Sequence, residues 1–386
     1  MKASVRSWLF LIPILFLAGC GGGSGERVWV GHLSPLSGAD KKIGESSRHG
    51  VLLAVEEANE DPDTKGAGRH VEVRHADTRG DPATFGAEAT RLVAVNKVFA
   101  LLGGSSSAEI EAIKQIDRPG LLISPAGLAD DAQRGPGLFF TGLSPAQQGG
   151  ALARLAVREK LGRVIVLVNE DTQGHYRALA EAFLHTHRED WANKHPIMQS
   201  TLSGPRLFGK EISIAERAQA LAKEVSTGTR LDAIFVAGKG SDVVKLRAAM
   251  GAAKTPVLFA GNEGSLRELL QEPATRDGVY LATAFAADAD AGAVQSFVAR
   301  FKKRFDGREP DVHAALAYDS ARILFRALRR SSHLSLDEIQ KELSEMSELA
   351  ALTGPLTFDK NGQARRTAFV ARIDGGKPKT VGSFRD

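Results

Sequence analysis

The chain has 386 residues, enough for two domains of ordinary size and too many for one simple core. Apolar residues make up 43% and charged residues 25%, a globular balance that excludes a disordered chain and a membrane-embedded bundle. A single cysteine excludes a disulfide framework and a thiolate metal cluster, so stability has to come from packed cores.

The N-terminus departs from this balance. Lys2 and Arg6 precede the apolar run Trp8 to Leu17, and Ala18-Gly19-Cys20 follows. A charged segment, a short apolar segment and a small-residue site form the pattern of an export signal over residues 1–19. The apolar run is shorter than the roughly 20 residues that span a bilayer, and Pro13 interrupts it. Leu17-Ala18-Gly19-Cys20 resembles the lipobox of bacterial lipoproteins, which implies cleavage before Cys20 and a lipid on its thiol. The alternative is an ordinary cleaved signal that contains a cysteine. Gly21 to Gly25 then reads as part of a flexible tether over residues 20–26, holding the body off a membrane. Losing Lys2 and Arg6 leaves 48 basic against 46 acidic residues, a near-neutrality that argues against nucleic acid as a partner.

From Arg27 onward, apolar β-rich runs alternate with amphipathic stretches, the pattern of parallel sheets covered by helices. Val28 to Leu33 reads as a strand, Ser34 to Gly38 as a loop, and Gly44 to Asn59 as a helix with Val51, Leu52 and Val55 inward. A strand at His70 to His75, a loop with Asp77 and Asp81-Pro82, and a helix to about Asn96 come next. Val98 to Leu102 and Gly120 to Ser124 are the third and fourth strands, separated by the loop Gly103 to Ser107 and a helix. A second series begins with Arg163 to Val168 and continues through Leu231 to Ala237 and Thr255 to Gly261. Helices are expected at Ala291 to Phe305, Val312 to Arg330 and Ser335 to Met346. Short strands close the chain between Gly354 and Phe384. Two strand-helix series imply two doubly wound lobes in the α/β class.

Catalytic motifs are missing: there is no His-Glu-x-x-His, no Gly-x-Ser-x-Gly elbow and no Walker A loop. His185 and His187 fall on what reads as a solvated helix end without further ligands in metal spacing. The reading is therefore a protein that is not an enzyme and needs no metal or cofactor. Open α/β sheets bind ligands at the carboxyl ends of their strands, and polar loops fall there. Ser105-Ser106-Ser107 offers hydroxyls and backbone N–H groups at a helix start, suited to a carboxylate, although one serine is needed as the N-cap. Glu263 follows a strand and precedes a helix; it either caps that helix or receives a ligand ammonium. Gly238-Lys239-Gly240 lacks the third glycine of a dinucleotide fingerprint and reads as a strand-end loop.

Taken together, these residues resemble the type I periplasmic binding proteins of ABC transporters, in particular the branched-chain amino acid (Leu/Ile/Val) branch. The landmarks are Pro35-Leu36-Ser37-Gly38 with Gly44, Ala54 to Asn59, Asp77, Asp81-Pro82, Gly103 to Ser107, Ile123 to Ala126, Ala317-Tyr318-Asp319, and Gly354 to Asp359 with Gly362. The resemblance implies two doubly wound parallel-sheet lobes joined by three hinge crossings, with residues 27–143 and 286–366 in one lobe and 144–285 and 367–386 in the other. It implies a small ligand between the lobes, an amino acid or amide-like compound, and delivery to an ABC permease in the inner membrane. Ser105, Ala126 and position 128 would hold the carboxylate end, Glu263 would meet the ammonium, and Ile43 would form a wall, with Ser107 of the serine loop a further ligand-binding candidate. Leu128 can offer only its backbone where the family has a hydroxyl residue. Gln173 and Lys239 stand where the family tends to present tyrosines, which separates the fold and binding role from the inference to leucine-like ligands. Lys239 either points inward, favouring a ligand with an extra carboxylate, or extends into solvent. A ligand-sensing lipoprotein on the same fold is the competing role, and an exported hydrolase a third.

Overall fold

The computed structural model describes residues 26–61, 69–116, 120–127, 137–170, 174–196, 198–250, 256–261, 264–345 and 349–385. Cys20 with the tether residues to Gly25, Leu128, Gln173 and Glu263 lie outside the described residues, while Glu26, expected in the tether, begins the first strand.

The first half of the chain runs β1 (Glu26–Ser34), α1 (Lys41–Glu60), β2 (Arg69–Asp77), α2 (Pro82–Thr90), β3 (Ala100–Gly103), α3 (Ser107–Lys114), β4 (Leu121–Ser124) and β5 (Leu138–Phe140). Its five strands form one wholly parallel sheet in the order β2-β1-β3-β4-β5. The alternation of side chains along each strand fills both faces, as parallel sheets require. Leu102, Leu121 and Ile123 pack into the core shared with α1, while Leu101 and Leu122 pack on the other face with Phe85 and Ile110.

The second series contains α4 (Pro145–Arg158), β6 (Arg163–Asn169), α5 (His175–Lys194), β7 (Thr201–Phe208), α6 (Ile214–Ser226) and β8 (Ala233–Ala237). It continues through α7 (Gly240–Met250), β9 (Val257–Phe259), α8 (Gly264–Leu270), α9 (Pro273–Arg276) and β10 (Val279–Thr283). Three helices follow: α10 (Gly292–Arg304), α11 (Val312–Arg330) and α12 (Leu336–Glu345). The chain ends with β11 (Leu349–Ala351), β12 (Gly354–Phe358), β13 (Ala364–Arg365), β14 (Ala368–Asp374) and β15 (Lys377–Phe384). The second sheet has the order β15-β14-β10-β9-β8-β6-β7, parallel from β7 to β10 and antiparallel at β14 and β15. A small antiparallel sheet of β11, β12 and β13 completes the fold.

The expected α/β class with two mainly parallel sheets is the one observed. Four strands were not anticipated, among them β11, a three-residue strand just before the expected closing strands. β5 is three residues long, too short to register as a periodic run, and β10 lies in the unassigned stretch that leads into the second crossing. β7 carries Gly204-Pro205 and pairs only with β6, an edge position where proline is tolerated and where the register shifts opposite Ile165 and Leu167.

The chain passes between the two sheets after β5, after β10 and before β14. Arg366, 2% exposed, reaches all three passages: it donates from Nη1 to Thr141 O at 2.8 Å and from Nη2 to Ala284 O at 3.4 Å. Nη2 also pairs with the buried Asp319 of α11 at 3.0 Å, and Asp319 Oδ1 accepts from Leu352 N at 3.0 Å.

Candidate functional site

A cavity of about 570 Å³ opens at the carboxyl ends of the first sheet. Its floor is built by the loops after β1, β3 and β4, where two glycines permit close backbone approach. Gly103 has φ +133°, and a Cβ there would stand 2.2 Å from Leu33 O; a Cβ on Gly44 would stand 2.0 Å from Pro35 O. Asp77, at the end of β2, fixes the Pro35–Ser37 loop through Leu36 N (2.9 Å), Ser37 N (3.1 Å) and the Ser37 hydroxyl (2.6 Å). Burial alone would raise the Asp77 carboxyl, but the Ser37 hydroxyl and the N–H groups of Arg79, Ser37 and Leu36 outweigh it and hold it below the usual range.

Ser105, Ser107, Ala126 and Ile43 all line this cavity. Ser106, between the two other serines, is the N-cap of α3 and closes a reciprocal capping box with Glu109. The Glu109 carboxylate, 6% exposed, accepts from Ser105 N at 2.8 Å and Ser106 N at 3.2 Å, and itself faces the cavity. The Ser105 and Ser106 N–H groups are therefore taken by the protein's own carboxylate, to which the Ser105 hydroxyl also donates at 3.4 Å, while the Ser107 hydroxyl faces the cavity. Ala126 N donates to Ser124 Oγ at 3.0 Å and Ala126 O accepts from Gly142 N at 3.0 Å.

Lys239 is exposed and is not part of the cavity wall; its N–H donates to Asp242 Oδ2 at 2.9 Å. The second-sheet side of the cavity is formed instead by His175 and Tyr176 in the first turn of α5, with Gly264 at the start of α8. Burial holds His175 below its ordinary pKa and pushes Tyr176 up to about 12, with Asp242 and Glu268 adding to the latter, so both are neutral near pH 7. Gln148 of α4 also lines the cavity: Nε2 donates to Leu143 O at 2.9 Å, while its buried Oε1 has no partner among the described residues. Sequence reasoning missed Tyr176 and Gln148. The available signal was an aromatic pair directly after Gly174 at a helix start. His187 is buried in a stack with Phe183 and Trp191 and its Nε2–H donates to Leu161 O at 2.8 Å, which corrects the solvated reading for His187, whereas His185 is exposed.

No Lys or Arg occurs among the described residues of the cavity wall. Nor do any three His, Cys, Asp or Glu among the described residues form a metal-ligating group. Over the described residues no helix is long and apolar enough to cross a membrane.

Comparison with known proteins decides the family. The sequence profile described as periplasmic binding protein matches residues 27–186 and 218–378. The chain belongs to the periplasmic binding protein family. Members of this family are binding proteins and not enzymes. Among solved structures, this periplasmic binding protein is similar to an ABC transporter substrate-binding protein from Desulfitobacterium hafniense in complex with Leu. Identity is 20% and the TM-score 0.75, covering 92% of this chain and 100% of the other. It is also similar to the branched-chain amino acid transporter substrate binding protein LivJ from Streptococcus pneumoniae in complex with isoleucine, at 22% identity and a TM-score of 0.70, covering 94% and 99% of the two chains. A solute binding protein of an ABC transporter from Rhodopseudomonas palustris, in complex with 3,4-dihydroxybenzoic acid, matches at 17% identity and a TM-score of 0.69, over 93% and 97%.

Proposed function

We propose that this periplasmic binding protein captures an amino acid or a closely related zwitterion between two lobes and delivers it to an ABC importer. The lobes divide at residues 143/144, 285/286 and 366/367, and Cys20 carries the lipid that keeps the exported body at the membrane. The observation that carries the reading is the cavity itself, whose wall combines residues from the first sheet's loops with His175, Tyr176 and Gly264 from the second. A cavity of about 570 Å³ falls within the range that suits a small ligand.

In this reading the Ser105 and Ser107 hydroxyls, with the backbone at Leu128, face the solute's carboxylate, and Ala126, whose N–H is held by Ser124 Oγ, forms the adjoining wall. Glu263 and Gln173 approach from the second lobe, Glu263 toward the ammonium, and Ile43 packs on the side chain. Lys239 stays outside the site. A wall without Lys or Arg among its described residues, and with Glu109 facing inward, disfavours solutes carrying a second carboxylate. Thermal unfolding of the mature chain against amino acids, their amides and dicarboxylates tests this, because a solute that binds the folded form alone raises its melting temperature. A neutral or cationic amino acid should raise it, and glutamate or aspartate should not. A response confined to dicarboxylates or to solutes lacking an ammonium would refute the reading.

A further inference from the structure

Ser47 lies in the cavity wall, one helical turn beyond Ile43 on α1, and a buried polar group stands behind it. His32 of β1, 1% exposed, places Nε2 3.0 Å from Ser47 Oγ. Its other ring nitrogen, Nδ1, meets Nδ1 of His75 at 2.8 Å. The two histidines are register partners on the adjacent parallel strands β1 and β2, and their rings meet edge to face at 87°.

Two ring nitrogens at hydrogen-bond distance hold one proton between them. Burial, followed by the charge of neighbouring groups including Arg48, holds His32 well below its ordinary pKa and His75 at about 4, so both rings are neutral near pH 7. Neutral rings allow two arrangements. If His32 Nδ1–H donates to His75, then His75 carries its own proton on Nε2, an atom that is buried without a partner among the described residues. If His75 Nδ1–H donates to His32, His75 Nε2 is a bare lone pair and His32 keeps its proton on Nε2, aimed at Ser47. A buried N–H without an acceptor is the rarer and costlier orphan. The positive charge of Arg48, which acts on both rings, also favours a lone pair over another N–H dipole.

We propose that Ser47 is a solute-contacting hydrogen-bond donor whose polarity is fixed by the His32–His75 pair. The Ser47 oxygen accepts from His32 Nε2–H, which leaves the hydroxyl proton to point into the cavity toward an oxygen of the solute. No second partner of this hydroxyl occurs among the described residues. His32 and His75 touch no solute; they act through Ser47 as positioning residues. The solute contact rests on the cavity being the binding site, whereas the direction of the hydrogen-bond chain does not.

The test has two readouts. Long-range proton–nitrogen correlation spectra of the mature chain with labelled histidines, near pH 7 and without ligand, should show His32 protonated at Nε2 and His75 at Nδ1. The reverse pair of tautomers overturns the inference, because Ser47 would then be an acceptor. Calorimetric titration with L-isoleucine should show Ser47→Ala binding about tenfold more weakly than wild type, the loss of one hydrogen bond. Ser47→Thr, which keeps the hydroxyl, should stay within about threefold of wild type. Equal affinity of wild type and Ser47→Ala overturns the solute contact. If wild type itself takes up no isoleucine, the tautomers alone decide this inference.

Discussion

Glu109 joins the cap of α3 to the cavity wall. Its carboxylate completes the α3 cap through the Ser105 and Ser106 N–H groups, and the same carboxylate faces the cavity. A solute carboxylate bound at the neighbouring hydroxyls meets a like charge. Glu109→Gln keeps an oxygen for the cap and removes that charge. It should raise affinity for carboxylate-bearing solutes several-fold in a calorimetric titration while lowering unfolding stability by about 1 kcal/mol, a typical capping contribution. Unchanged affinity would place the solute's carboxylate elsewhere.

The histidine pair has a second consequence at the same scale, for stability. The folded pKa of His75 is depressed to about 4 from an ordinary value of 6.5, so the unfolded chain binds the proton more readily. The stabilisation is complete above pH 6.5 and is lost as pH falls through about 4, a contribution on the order of 3 kcal/mol. Urea midpoints measured between pH 7.5 and 4 should therefore fall less steeply in His75→Gln than in wild type. Parallel curves would mean that the ring is not the source.

Among the elements, the passages between the sheets depend on Arg366. Its guanidinium is buried, bonded to carbonyls of the other two passages and paired with Asp319, whose carboxyl burial pushes up against the opposing pull of Arg366. Removing one partner of a buried pair leaves an uncompensated charge, at a cost of about 3–5 kcal/mol. Arg366→Met should lose stability of that order in urea unfolding, and the double variant Arg366→Met with Asp319→Leu should recover a substantial part. A double variant as unstable as the sum of the single changes would argue that the pair acts through its separate contacts. The elements also show what sequence could carry. Periodic runs such as Val28 to Leu33 and Arg163 to Val168 announce their strands, because alternation within one strand encodes both faces of a covered sheet. β5 and β7 did not, since their existence depends on neighbours that only the folded sheet supplies.

The molecule as a whole extends this contrast to the site. The serine loop was legible because loops at strand ends follow from topology, whereas Ala126 and Ile43 were legible only through the family resemblance. Tyr176, Gln148 and Ser47 were not, because they reach the cavity through the second sheet's approach or through a histidine pair 43 residues apart in sequence. An ion pair also bridges the two sides: Arg267 of α8 meets Asp40 at the start of α1, with both side chains about half exposed. An exposed pair of this kind contributes little by itself, so the hold on a solute has to come from the cavity wall. The direct test of that statement is a calorimetric titration with the amino acid that most raises the melting temperature, comparing wild type with Ser105→Trp. Ser105 is exposed at the cavity, so the indole should fill the space without disturbing a core. Wild type should bind one solute per chain, and Ser105→Trp should bind none while unfolding with the same cooperativity. Equal binding by the two proteins would contradict the assignment of this cavity as the solute site.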